Sequence, residues 1–305
     1  MKIIFLGTPS FVVPVLENLA KKHRILAVFC QPDKAGNRNK ITASPVKEFA
    51  LEKGLDVFTP DKIDEEVVGK VKTLNPDLMV CCAYGKILPQ KFIDICPILN
   101  IHPSDLPKYR GSSPVQWALI NGEREIAVSI MKLCFKMDAG DIVLKQKIAV
   151  EKEDNAETLL KKSFLIGNNL LDKVFENLDF YLKNAEKQDE SKATIFPMFK
   201  KEDGKINFVK EAKSIENLIR GVYMWPVAYC SLNGKNFKIF KATASEEKSV
   251  NVKVGEIVKC DKDGIVVACG NGLLNLEEVQ IEGGKRMSAK DFVNGNKLKV
   301  GDVLC

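Results

Sequence analysis

The chain has 305 residues, 45% of them apolar and 28% charged, which is typical of a globular protein long enough for two domains. No apolar run approaches the ~20 residues that span a bilayer, and the opening MKIIFLG is too short for a signal-peptide core, so we expect a cytoplasmic protein without a membrane partner. The net charge of +6, with 16 Lys and Arg against 12 Asp and Glu between 205 and 305, permits an anionic partner in the last third. An ordinary solvated surface fits that charge equally well.

The nine cysteines are odd in number and scattered, and several lie in apolar runs such as LMVCCAY. Such cysteines are typical of small buried side chains. A disulfide scaffold is not expected at this size. The chain has no CxxC and only two histidines, which argues against a structural zinc site. We therefore predict reduced thiols and no metal.

Strand-like and helix-like segments alternate in the first half of the chain. The apolar runs are KIIFL (2–6), ILAVFC (25–30), DLMVCCAYG (77–85), ILNIH (98–102) and AVSIMKL (127–133). Helical patterns lie between them, one of them capped by Ser44 with Pro45 at its first position. This alternation predicts an α/β domain with a mostly parallel sheet and helices on both faces. Ligands of such sheets bind beyond the carboxyl ends of the strands, and His102 ends one strand.

The pattern changes in the second half. Residues 156–182 repeat apolar side chains at helical spacing and predict one long amphipathic helix. The polar stretch KNAEKQDESKA follows and predicts a linker or exposed turn. Short β-rich runs broken by DKDG and GNG then predict a small all-β barrel or sandwich of roughly 100 residues. An OB-like barrel is one candidate, which the pattern alone does not select.

The first glycine-containing turn, FLGTPSF, does not predict a dinucleotide site. It has one glycine rather than G-x-G-x-x-G, the arrangement that lets a backbone approach a pyrophosphate. The glycine is better explained by the strand-to-helix turn.

His102 is the stronger candidate for chemistry, because imidazole exchanges protons near neutral pH. Asn100 has the same strand parity as His102, so both side chains leave the same face. An amide beside an imidazole combines a hydrogen-bond donor for an oxyanion with an acid or base. A histidine that only packs or caps a turn remains an open alternative.

A carboxylate that could orient the imidazole is present in MDAGD (137–141), which supplies Asp138 and Asp141. The spacing does not bring Asp138 to His102, and simple turn chemistry explains Asp before Gly equally well.

Several motifs together resemble the 10-formyltetrahydrofolate-dependent formyltransferases. They are N-x-H-x-S-x-L-P-x-x-R-G (100–111), the later D-x-G (138–140), F-x-G-T-P-x-F (5–11) and AYGKILP (83–89). The segment QPD…R…SPVK (31–47) and the MWP at 224–226 are similar to the branch of the family that acts on methionyl-tRNA. The resemblance covers essentially the whole chain.

The resemblance implies a Rossmann-like formyltransferase domain at 1–183, a linker at 184–204 and an OB-like tRNA-binding domain at 205–305. It implies formyl transfer from the co-substrate 10-formyltetrahydrofolate to the α-amine of methionine on initiator methionyl-tRNA, with no metal and no obligate protein partner. By the same resemblance, Asn100 stabilises the oxyanion and His102 acts in the proton transfers. Asp138 then holds the imidazole and favours its protonated form.

The resemblance also assigns two binding sites. The folate is bordered by the S-x-L-P segment, here Ser104, Asp105, Leu106 and Pro107, where Asp105 stands in place of the usual leucine. The tRNA acceptor end is reached by the basic loop KAGNRNK (34–40), with Arg38 at the basic position and Lys34 and Lys40 as further candidates. Lys285, Arg286 and Lys290 are weaker candidates.

Other functions share parts of this pattern. A formyltransferase acting on an amino sugar nucleotide shares the Asn–His–Asp set but should lack the basic loop. A glycinamide ribonucleotide formyltransferase would be a single domain, and a folate hydrolase would use the same residues on water. A non-catalytic RNA-binding protein would use only the barrel and the basic loop.

Overall fold

The computed structural model describes residues 1–35, 41–247, 252–295 and 298–305. The chain divides into two compact units. Unit 1 comprises Met1–Pro114, Glu125–Ala149 and Leu160–Pro197, and unit 2 comprises Val115–Arg124, Val150–Leu159 and Met198–Cys305. No helix in the described ranges is long and apolar enough to cross a membrane.

Unit 1 is built on a seven-stranded sheet of order β10-β9-β7-β6-β1-β2-β5. Its strands and those of two small pairs are, in chain order, β1 (Lys2–Gly7), β2 (Arg24–Phe29), β3 (Lys34–Ala35), β4 (Ile41–Thr42), β5 (Val57–Phe58), β6 (Leu78–Cys82), β7 (Ile98–His102), β8 (Arg110–Gly111), β9 (Glu125–Lys132), β10 (Ile142–Ala149) and β11 (Ile195–Phe196). Strands β7, β6, β1, β2 and β5 are parallel, whereas β9 and β10 form an antiparallel edge. The predicted mostly parallel α/β fold is therefore confirmed.

The helices up to residue 183 are α1 (Val13–Lys22), α2 (Pro45–Glu52), α3 (Glu65–Leu74), α4 (Gln90–Ile93), α5 (Pro114–Ile120), α6 (Ala156–Glu176) and α7 (Leu178–Lys183). The predicted cap of α2 is confirmed, since the Ser44 side chain accepts a hydrogen bond from the Lys47 amide at 3.3 Å. The prediction of a single helix over 156–182 is wrong in one respect. The segment divides into α6 and α7 at Asn177, whose φ of −149° and ψ of 64° are not helical.

Unit 2 contains an antiparallel sheet of order β12-β13-β16-β15-β14, with β17 paired to β16. Its elements are β12 (Ala228–Leu232), β13 (Lys235–Ser245), β14 (Ile257–Asp261), β15 (Gly264–Ala268), β16 (Leu273–Ile281), β17 (Met287–Ser288), α8 (Ala212–Gly221) and α9 (Ala289–Gly295). The predicted β-rich C-terminal domain is confirmed and is an antiparallel sheet, with a turn at DKDG and a bend at GNG. The helices α8 and α9 were absent from the sequence prediction, although Ala212, Ile215 and Ile219 recur at helical spacing and are buried.

Two features of the unit 1 sheet position the candidate site. All five residues of β7 are buried, and His102 is its last residue. The antiparallel register puts Lys132, the end of β9, opposite Leu99, whereas His102 lies opposite Ser129. The loop between β9 and β10 therefore leaves the sheet on the amino-terminal side of His102 and must fold back to approach it.

Candidate active site

Asn100 and His102 leave the same face of β7, as strand alternation requires. Only 8% of Asn100 and 5% of His102 are exposed. No other described residue makes a hydrogen bond to the Asn100 side chain. With no partner among the described residues, the Asn100 amide can donate a hydrogen bond to a polar atom of a ligand.

The two ring nitrogens of His102 have different surroundings. Nε2 lies 3.0 Å from the carbonyl oxygen of Tyr109. A carbonyl can only accept, so this contact assigns the proton to Nε2 and leaves Nδ1 as the nitrogen that can exchange a proton. Nδ1 faces Oδ1 of Asp138 at 3.8 Å. That distance is too long for a hydrogen bond but short enough for an ion pair with a protonated ring.

Asp138 is held by one backbone hydrogen bond to its carboxylate and by the conformation of its loop. Oδ2 accepts a hydrogen bond from the Gly111 amide at 2.8 Å. The φ of Asp138 is +48°, a left-handed conformation that aspartate tolerates better than most residues. A Cβ on Gly140 would lie 1.8 Å from the Lys132 carbonyl oxygen, so the D-x-G spacing is a steric requirement of this loop.

Two of the four predicted folate contacts have side chains enclosed by the protein. The Ser104 hydroxyl donates to the Lys108 carbonyl at 2.8 Å. Leu106 is fully buried in a small cluster with Met131 and Ile142. Ser104 is 2% and Leu106 0% exposed as whole residues, so neither offers an accessible surface to a ligand.

Asp105 and Pro107 face outward from that segment. The Asp105 carboxylate accepts from Lys145 Nζ at 2.7 Å, and the same ammonium group lies 3.3 Å from the Leu106 carbonyl. The Pro107 carbonyl accepts from the Thr194 amide at 3.3 Å. Lys145 thus neutralises the carboxylate that replaces the usual leucine.

We expect Asp105→Leu to leave the KM for the predicted co-substrate, 10-formyltetrahydrofolate, within about two-fold of the parent value. The pair is exposed, 34% at Asp105 and 39% at Lys145, and such ion pairs contribute little, ~0–1 kcal/mol. Steady-state kinetics at several folate concentrations measure this, with Lys145→Leu as the matched control on the other partner. A large rise in KM for Asp105→Leu alone would show that the carboxylate itself binds the folate.

The predicted tRNA-binding residues fall largely beyond what the structure describes. Lys34 begins β3, whose backbone pairs with Thr42 of β4. Arg38 and Lys40 lie outside the described residues.

Arg110 belongs to the N-x-H-x-S-x-L-P-x-x-R-G motif (100–111), but the sequence predicted no role for it. It is 1% exposed and pairs with Glu190 at 2.9 Å. The pKa of Glu190 is lowered to about 2, first by the hydrogen bond from Arg110 and then by that from Lys136, so this carboxylate stays ionised at neutral pH. Nothing in the local sequence predicts that the arginine of β8 is buried, because its partner lies 80 residues further along the chain.

The nine cysteines are free. Burial raises the pKa of Cys81, Cys230 and Cys269 to about 12 each, so these thiols are neutral at pH 7. Among the described residues, no three His, Cys, Asp or Glu side chains group together as metal ligands.

The chain matches two family models. Residues 1–174 match the formyl transferase model, and residues 198–297 match the model of the formyl transferase C-terminal domain. A methionyl-tRNA formyltransferase of Geobacter metallireducens is 41% identical, with 99% of this chain and 97% of the relative aligned.

Solved structures share the fold at lower identity. The N-formyltransferase of Helicobacter canadensis, in complex with folinic acid and dTDP-3-aminofucose, superposes with a TM-score of 0.66 at 20% identity over 90% of this chain and 99% of that one. HypX of Aquifex aeolicus, in complex with tetrahydrofolic acid, superposes with a TM-score of 0.62 at 15% identity. This chain is covered completely in that superposition but spans only 50% of HypX.

Proposed function

This chain belongs to the methionyl-tRNA formyltransferase family, and from that premise we propose that it formylates initiator methionyl-tRNA. The formyl group comes from 10-formyltetrahydrofolate and is transferred to the α-amine of the esterified methionine. The observation that carries the proposal is the grouping of Asn100, His102 and Asp138 in one unit of a chain that aligns along 99% of its length with a methionyl-tRNA formyltransferase.

The chemistry is an acyl transfer. The methionine amine attacks the formyl carbon, a new N–C bond forms, and the carbonyl oxygen becomes an oxyanion. The Asn100 amide donates a hydrogen bond to that oxyanion. His102 takes a proton from the attacking amine at Nδ1 and returns it to N10 of the folate as the C–N10 bond breaks. Asp138 stabilises the imidazolium that exists between these two transfers.

The tRNA would contact two parts of the chain. The basic loop at 34–40 supplies Arg38, Lys34 and Lys40 for phosphates of the acceptor end, and the domain at 205–305 supplies the second surface. On that surface Arg286 pairs with Glu278, so the positive charges of Lys285 and Lys290 are less neutralised than that of Arg286.

The proposed partner is methionyl-tRNA alone, without a membrane or an obligate protein, and the proposed location is the cytoplasm.

We expect Arg38→Ala to raise the KM for methionyl-tRNA several-fold with little change in kcat. Loss of one phosphate contact should also reduce the slope of log KM against log salt by ~1. The KM is measured between low and moderate salt, with Arg24→Ala, an exposed arginine at the start of β2, as the control. An unchanged salt slope would remove Arg38 from the tRNA site.

The function is tested by incubating the protein with 10-formyltetrahydrofolate and charged initiator methionyl-tRNA and analysing the released amino acid for formyl-methionine. The same assay is run with an amino sugar nucleotide as acceptor and with water alone. Transfer to the tRNA is expected. Transfer to the sugar nucleotide, or hydrolysis without transfer, would overturn the proposal.

A further inference from the structure

The segment between the two family-model matches, residues 175–197, contains the side chains that brace the candidate active site. It includes the polar stretch predicted as the start of a linker at 184–204, yet its residues belong to unit 1 as far as Pro197. We call residues 188–196 the brace.

Gln188, the first residue of the brace, contacts both the Asp138 loop and Arg110. Its Nε2 donates to the carbonyl oxygen of Asp138 at 2.8 Å and to that of Gly140 at 2.7 Å. Its Oε1 accepts from Nε and Nη2 of Arg110 at 3.0 and 2.8 Å. One carboxamide therefore uses both of its donor hydrogens on the loop that carries Asp138 and its acceptor on a buried arginine.

The far end of the brace holds the segment 109–111, which contacts both His102 and Asp138. Thr194 accepts from the Tyr109 amide through its side chain at 2.8 Å and from the Arg110 amide through its carbonyl at 2.9 Å. The strands β8 and β11 pair in parallel, and the ring of Phe196 stacks on that of Tyr109 with centroids 5.0 Å apart. The brace thus anchors two backbone groups of the site. One is the Tyr109 carbonyl that contacts His102 Nε2, and the other is the Gly111 amide that donates to the Asp138 carboxylate.

We propose that Gln188 is a positioning residue for the formyl transfer, holding the Asp138 carboxylate at its place opposite His102 Nδ1. The proposal rests on the roles given above to Asp138 and His102. The physical reason is that Asp138 lies in a left-handed conformation in a loop that folds back over the sheet, where its backbone carbonyl is fixed by Gln188. A shift of the reacting groups by ~1 Å can reduce a rate by ~10²-fold.

The discriminating variant is Gln188→Glu. The new carboxylate can still accept from Arg110, so the buried arginine keeps its partner, but no N–H remains for the carbonyls of Asp138 and Gly140. The matched control is Gln90→Glu, the same change at an exposed glutamine that donates to Asp94, the residue that caps the end of α4. Gln188→Ala removes both halves of the contact and serves as the second variant.

The full-length variants are compared in the methionyl-tRNA formylation assay and by their thermal unfolding. We expect kcat of Gln188→Glu to fall by about 10- to 100-fold, with both KM values nearly unchanged and the control unaffected. The pH profile of kcat should also change, which a purely structural role would not cause. A normal kcat and pH profile in both Gln188 variants would overturn the proposal, as would a rise in KM at normal kcat, which would place Gln188 in a substrate site.

A measurement made without substrate tests the positioning role of Gln188 independently of the proposed function. The chain has only two histidines, so the ring ¹⁵N signals of His102 can be assigned by comparison with His23→Gln. We expect Gln188→Glu to shift the His102 signals and Gln90→Glu to leave them in place. If the wild-type protein does not formylate tRNA but these shifts occur, the proposed function fails and the positioning role stands; unchanged shifts would overturn the positioning role itself.

Discussion

Asn100→Ala should lower kcat by about 10²–10³-fold, the effect of removing one hydrogen-bond donor from an oxyanion site in other enzymes. The Asn100 side chain has no hydrogen-bond partner among the residues described, and it lies on the strand face that it shares with His102. Its amide is therefore available to the transition state without breaking an existing contact. The loss should appear in kcat with little change in either KM, because the oxyanion forms only as the reaction proceeds.

Single-turnover and steady-state formylation assays measure this effect. Asn100→Asp keeps the size and the oxygen but has no N–H, so it should lose at least as much activity as the alanine variant. Asn184→Ala, at the exposed end of α7, controls for loss of an asparagine elsewhere in unit 1. Near-normal turnover of Asn100→Ala would remove Asn100 from the catalytic set.

Asp138→Asn should lower kcat by about 10²–10⁴-fold, the range that proton-transfer groups contribute. Asparagine can still accept the hydrogen bond from the Gly111 amide, so the loop can keep its shape. Its NH2 group would then face Nδ1 of His102, where Asp138 now has Oδ1 at 3.8 Å. A neutral amide in that position stabilises the unprotonated ring and gives no support to the imidazolium.

Asp141→Asn is the matched control for this prediction. Asp141 lies in the same loop, and its carboxylate is 3.7 Å from Lys132 Nζ rather than beside the imidazole. Its substitution should leave kcat within about two-fold, since an exposed pair of this kind contributes little, ~0–1 kcal/mol. Equal losses in the two variants, or a loss only in Asp141→Asn, would contradict the role given to Asp138.

The part of the site on β7 could be predicted from the sequence because it depends on one local rule. Strand alternation puts Asn100 and His102 on one face whatever the neighbouring strands are. The cap at Ser44 and the parallel sheet follow from equally local patterns. Helix α8 carried such a pattern too, but the surrounding β-rich runs and turn signals favoured an all-β prediction for the whole region.

The partners of those residues could not be predicted, because they depend on register and loop path. Asp138 approaches His102 only because β9 runs antiparallel to β7 and the following loop folds back. Gln188 lies in a stretch whose polar composition is typical of a solvent-exposed linker. Its role depends on three hydrogen-bonding partners that are about 50 or more residues away in sequence, and composition carries no information on such contacts.

The pairing of β8 with β11 has a consequence for synthesis on the ribosome. The amino-terminal strands, including β7 with Asn100 and His102, emerge well before residues 195–196. A growing chain that ends near residue 183 therefore contains every proposed catalytic side chain but not the segment that anchors the loops around them. Formylating activity should thus be acquired late in translation, only after the sheet that carries the catalytic side chains has already been made.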